Sequence, residues 1–304
     1  MKKKAKKWWL IFKTAGQNFF SGKPFIYSSS IAYFAIFSLP AMAIIAVLVA
    51  GSFYEDETVR NEMLEQVSQF AGQDSAAEVA RIMDKMYQHP ESNLTKIISI
   101  ATLLFSATTV LATLQESINT IWHIRPKPNK EFVKFLVNRL LSLLIVFSLG
   151  ILLLLSLVAD TILTVFRDLI NQYLSTFAYQ LIWIINTFAS GVIITIIFAL
   201  IYMILPDAKI KWKHVWVGAL ITAILFLLGK YLIALYLQNT NFSESYGAAG
   251  SLVALLAWVY YSVLIILFGA EFTHAYTKHM GGKITPRNHA VAIKIEEIER
   301  EISP

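Results

Sequence analysis

The chain has no cysteine among its 304 residues, which excludes a secreted scaffold stapled by disulfides. Charge is scarce as well. Asp, Glu, Lys and Arg make up 15% of the residues, against about 25% in a soluble domain. Also missing are a Gly-rich phosphate loop, an HExxH helix, Cys/His zinc spacing and a G-x-S-x-G elbow. The six histidines (His89, His123, His214, His274, His279, His289) are scattered over loops and helix ends, so no hydrolytic metal site is visible. ATP-driven transport would therefore need a separate subunit.

What the chain does have is apolar length. Hydrophobic residues reach 56% and mean hydropathy is +0.58, well above what a soluble core needs. Six stretches meet the roughly 20 apolar residues that a membrane-crossing helix requires, at about 27–50, 97–121, 140–162, 181–205, 215–237 and 251–273. Runs of this length are not barrel strands. The expected fold class is all-α, a bundle of six transmembrane helices. No cleavable signal peptide is expected, because the basic start MKKKAKKWWLIFK leads into Gln17, Asn18, Lys23 and Pro24.

Twenty of the 26 Lys and Arg residues fall in 1–26, 122–139, 206–214 and 274–304, and five on the opposite side. The positive-inside rule then makes both termini cytoplasmic. That rule also accounts for the net charge of +6 without nucleic acid as a partner. Residues 1–26 read as a basic interfacial helix with tryptophans at the boundary, 27–275 as the membrane domain, and 276–304 as a charged cytoplasmic tail. The tail runs from Gly281-Gly282 to a charged helix in AVAIKIEEIEREI. The outer loop 52–95 is acidic, with Val59, Met63, Val67 and Phe70, then Val79, Met83 and Met86, at helical spacing. Two short amphipathic helices are expected there.

Charge inside a span costs a few kcal/mol on insertion scales, so each instance is a candidate site. Four qualify: Glu116, Asp160, Lys230 and Glu271. Thr102, Ser106, Thr109, Thr113, Glu116 and Thr120 recur at +4, +3, +4, +3, +4 and form one helical stripe, with Gln115 and Asn119 beside it. That stripe is either a polar pathway or plain helix–helix packing through hydroxyls. Glu271 lies near the cytoplasmic end of the sixth span, at about the depth of Glu116. Arg139 opens the third span at that level and could neutralise either carboxylate. Asp160 and Lys230 share the outer half, where Lys230 can pair or snorkel. Pro40 breaks the first span. The small run Gly247–Ser251, with Gly250, permits close backbone approach or a re-entrant turn before the sixth, and Gly218 with Thr222 gives a small-xxx-small contact on the fifth.

Four strings carry a family resemblance: AYFAIFSLPAM, LLFSATTVLATLQESINTIWHI, LPDAKIKWKHVWVGALITAILF and YGAAGSLVALLAWVYYSVLIILFGAEF. In this order, over about residues 20–280, they resemble the YihY/virulence factor BrkB family. The resemblance implies a bacterial inner-membrane protein of six spans, and carries over Pro40, Gln115, Glu116, Trp122, Pro206, Trp212, Gly247, Gly250, Trp258 and Glu271. Members have carried a ribonuclease label, which the missing metal-site chemistry makes implausible here, and some are linked to envelope lipid traffic. The expected role is transporter- or flippase-like handling of an amphipathic envelope component, without enzyme activity or cofactor and with membrane lipids as partners. The alternative is a scaffolding membrane protein whose outer loop or tail meets partners.

Overall fold

The computed structural model describes residues 2–36, part of 60–84, 93–127, 176–239 and 250–294. Six helices organise them: α1 (Lys2–Ser21), α2 (Pro24–Ile36), α3 (Asn93–Ile121), α4 (Thr176–Ile204), α5 (Trp212–Asn239) and α6 (Gly250–His279). Among the described residues, α5 and α6 each contain a stretch long and apolar enough to cross a membrane, Trp212–Ile233 and Leu252–His279. The expected third span, residues 37–50 of the first, and Arg139, Pro40, Asp160 and Gly247 lie outside the described residues. Those described between 60 and 84 are helical, and Arg60 reaches Asp84 at 2.6 Å.

Local chemistry sets the boundaries. Pro24 opens α2, where its missing N–H is no loss. Pro206 follows shortly after the end of α4. At the end of α6, Gly281 takes φ +73°; the Gly282 N–H donates to the Thr277 carbonyl (2.9 Å) and the Gly281 N–H to that of Lys278 (3.3 Å). That is a Schellman cap, which needs a left-handed residue at Gly281. His123, at φ 55°, fills the same role for α3 and donates its N–H to the Thr120 carbonyl at 3.1 Å.

The helix α5 packs between α4 and α6, and α1 lies along α6. The main core joins Leu114, Ile118 and Trp122 of α3 and its exit to Phe198 and Tyr202 of α4, Val215 of α5 and Leu267 of α6. A second cluster seats Ile11 and Ala15 of α1 on Phe272 and Ala275, with Trp8 stacked on Phe272. The α5–α6 contact is reciprocal. A Cβ at Gly218 would fall inside Thr273, and one at Gly269 inside Thr222. Each threonine donates its hydroxyl to the glycine carbonyl four residues earlier on its own helix, at 2.8 Å for Thr222 and 2.7 Å for Thr273. The backbones thus come close with no hydroxyl left unbonded.

The described residues are mostly helical, as expected, with two short antiparallel ribbons beside the helices. β1 (Ile124–Pro126) pairs with β4 (Ala290–Ala292), and β2 (Ala208–Lys209) with β3 (Thr285–Pro286). The tail segment expected to begin a charged helix at Ala290 is a strand at its first three residues. There Ala290 is buried while Val291 and Ala292 are exposed, and the edge with which the strand pairs buries Ile124. Residues 285–292 therefore strap together the exit of α3 and the α4–α5 loop.

Overpacking a close backbone contact costs about 1–3 kcal/mol. Gly218→Val and Gly269→Val should each lower the thermal midpoint in detergent by an amount in that range. Gly16→Ala, where an added Cβ meets nothing, should leave it unchanged or raise it slightly.

Candidate functional site

The hydroxyl stripe of α3 is turned on its own backbone. Thr109 donates to the Phe105 carbonyl (2.8 Å), Thr113 to Thr109 (2.9 Å), Ser117 to Thr113 (2.6 Å) and Thr120 to Glu116 (2.8 Å). Such back-bonding satisfies the hydroxyl inside its own helix. Ser106 and Gln115 are buried, Glu116 is exposed, and Thr102 lies on α3. Among the described residues, no hydrogen bond or ion pair joins Glu116 to Glu271. The polar residues that do converge lie at one end of the bundle, in two clusters.

The first is centred on Asp207, in the bend after α4 and 2% exposed. Gln115 donates to its Oδ1 (3.2 Å) and Asn119 to its Oδ2 (2.9 Å), while the Asp207 N–H donates to Asn119 Oδ1 (2.9 Å). His289 Nε2 lies 2.9 Å from Oδ1. Gln115 and Asn119 are four apart on α3, hence on one face. From the tail strap, the Arg287 N–H donates to the Asp207 carbonyl (2.9 Å). The Arg287 guanidinium reaches the carbonyls of Met203 (3.1 Å) and Ala208 (3.3 Å), a cation where the α4 dipole is negative. This knot fixes three chain segments to one carboxylate.

The second cluster is centred on Glu271, 3% exposed on α6. Asn18 of α1 donates to Oε1 at 2.8 Å. His274 Nδ1, buried and without a hydrogen bond, lies 3.7 Å from the same oxygen. The His274 ring meets the ring of His123 edge-on at 5.6 Å. Trp122, beside His123, donates its indole N–H to the Ala270 carbonyl at 3.0 Å, so the exit of α3 is pinned beside Glu271. Partial burial of its ring and the neighbouring His274 and Lys278 hold the His123 pKa below its usual value, against the opposing pull of Glu271. Among the described residues no group of three or more His, Cys, Asp or Glu side chains could hold a metal ion.

Asn18, Asp207, His274, Arg287 and His289 were not singled out by the sequence. Asp207 sits among basic loop residues, and Asn18 and the tail reach the site only through packing far along the chain. One signal was available: Gln115 and Asn119 on one helical face.

A family model described as virulence factor BrkB matches residues 17–294. The chain belongs to the BrkB family. Similar proteins include a UPF0761 membrane protein of Xanthomonas campestris pv. campestris (strain B100), 26% identical over 84% of this chain. Another, of Xanthomonas oryzae pv. oryzae (strain PXO99A), is 27% identical over the same share. The chain spans about 58% of the length of these relatives. No solved structure matches it. Every residue of the two clusters, from Asn18 to His289, falls within the stretch matched by the BrkB model.

In this BrkB-family chain, Asp207→Ala should leave Gln115, Asn119 and His289 without their acceptor, at about 1–3 kcal/mol for each group left unsatisfied and buried. The tail strap should then become cleavable at Lys283 or Arg287 by trypsin under conditions where the wild type resists. Because the folded state favours neutral His123, its contribution is intact above the unfolded pKa of about 6.5 and is lost as pH falls through the lower folded value. Thermal midpoints should therefore drop on acidification, and His123→Asn, which tolerates positive φ, should remove part of that drop.

Proposed function

We propose that this BrkB-family membrane protein is a transporter- or flippase-like carrier of an amphipathic envelope component, in the bacterial inner membrane with both termini cytoplasmic. The supporting observation is an apolar groove whose lining includes Phe19 and Phe268, one and three residues along their helices from the bonded pair Asn18 and Glu271. Phe19, Leu225, Tyr261, Leu264, Ile265 and Phe268 line a groove of about 280 Å³, just below the usual range of ligand pockets, about 300–1,000 Å³. Phe19 is followed back along α1 by Asn18, and Phe268 is three residues before Glu271 on the same face of α6. An acyl chain in the groove would place its polar head beside the Asn18–Glu271 pair. The role is non-enzymatic and calls for no cofactor and no nucleic acid. A scaffolding role through the tail is less favoured, because residues 285–292 are engaged by the chain's own loops.

The test is native mass spectrometry of protein extracted gently from bacterial membranes. One lipid class should be retained in near-stoichiometric amount. Leu264→Trp, which fills the groove, and Glu271→Gln should each weaken retention by about tenfold, or about 1.4 kcal/mol. Bulk lipid only, unchanged in both variants, would sink the carrier reading.

A further inference from the structure

We propose that His123, His274 and Glu271 form a proton relay, with Glu271 the proton-binding site and His123 its aqueous end. This deepens the carrier reading by naming a proton as its second ligand. The geometry runs from the exposed His123 through His274 to the buried Glu271. His123 is exposed in the left-handed turn that ends α3, and that turn is held on three sides. The Trp122 indole N–H is bonded to Ala270, the His123 N–H to Thr120, and the Ile293 N–H donates to the His123 carbonyl at 2.9 Å. Its ring faces His274 at 5.6 Å, a gap that one water or a ring rotation closes. His274 in turn presents an unbonded, buried Nδ1 to the Glu271 carboxylate at 3.7 Å. A buried ring nitrogen is expected to be hydrogen-bonded; the one that faces the carboxylate is not.

The charged and titratable groups around this line come from every packed element. α6 supplies Glu271, His274 and Lys278. The exit of α3 supplies His123. From α1 come the neutral Asn18 amide on Glu271 and Thr14, 3.5 Å from His279. From α5 comes His214, its ring 5.8 Å from that of Tyr276. Lys278 and His274 both disfavour a resident proton on His123, as suits a transfer point. In the transfer, protonated His123 passes its proton to neutral His274, which passes it to ionised Glu271. Both histidines end neutral and Glu271 ends as the acid. The Asn18 bond, charge-assisted while Glu271 is ionised, is then a weaker neutral bond, so proton uptake loosens α1 at the end of the apolar groove.

Infrared difference spectroscopy on the full chain in phospholipid nanodiscs, without added cargo, tests this between about pH 8 and pH 5. A protonated-carboxyl band should grow in within that window, vanish in Glu271→Gln and shift in frequency in Glu271→Asp. His274→Gln should move its midpoint by about one pH unit or more. His123→Asn should leave the midpoint in place and slow proton uptake after a pH jump by about tenfold or more. No carboxyl protonation in the window, a midpoint unmoved in His274→Gln, or an uptake rate unmoved in His123→Asn would overturn the relay. Because no cargo is present, titration can fail with lipid retention intact, or persist with retention lost. The relay and the carrier reading thus fail separately.

Discussion

A polar group carried into a low-dielectric interior has to find its partner inside the protein, and this constraint organises the whole structure. It turns the α3 hydroxyls onto their own helix and bonds Thr222 and Thr273 to the glycine carbonyls that their partner helix abuts. It sends the Trp122 indole to Ala270 and the Tyr202 hydroxyl to the Ile266 carbonyl at 2.8 Å. Where a helix must stop, the same requirement brings in Arg287 for the α4 carbonyls and a Schellman cap for α6. Among the described residues, most buried polar atoms close an otherwise open bond in this way, and Ser28 Oγ, His214 Nδ1 and His274 Nδ1 are the exceptions.

Set against that rule, the two buried carboxylates contrast. The Asp207 carboxylate meets Gln115 and Asn119 of α3 and His289 of the tail, and it holds these segments together. Glu271 has one short bond, from Asn18, and a histidine nitrogen at 3.7 Å that bonds to nothing else. Saturation marks the first as architecture. Incomplete pairing leaves the second open to the role proposed for it above.

The helices were legible because they rest on a one-dimensional signal, apolar length between breakers. Glu271 was legible too, since a charge in an apolar run is visible without knowing what it meets. The Gly218–Thr222 contact could be seen on one helix, but its mirror on Gly269–Thr273 shows only once the helices are paired. Gln115 and Asn119 were in view beside the threonine stripe, yet their partner Asp207 follows 88 or more residues later in a loop. Asn18 and Glu271 are 253 residues apart. The spacing of the threonines left a pathway and helix packing both open, because spacing gives the face and not the acceptor; back-bonding leaves the same periodic trace as a polar lining. The strand at Ala290 was hidden because its cause is the open edge of Ile124–Pro126.

The strap formed by residues 285–292 has a consequence for how the protein is made. Both of its partner edges, after α3 and after α4, leave the ribosome long before it does, and the seat of α1 on α6 must also wait for α6. Membrane insertion of the helices therefore precedes closure of this end. During synthesis the Asp207 knot stays open, its donors from α3 exposed to water or to the insertion machinery, until the last described segment arrives. Biogenesis of this protein is thus divided in time: a helical body that enters the bilayer first, and a polar end that is assembled afterwards from pieces already in place.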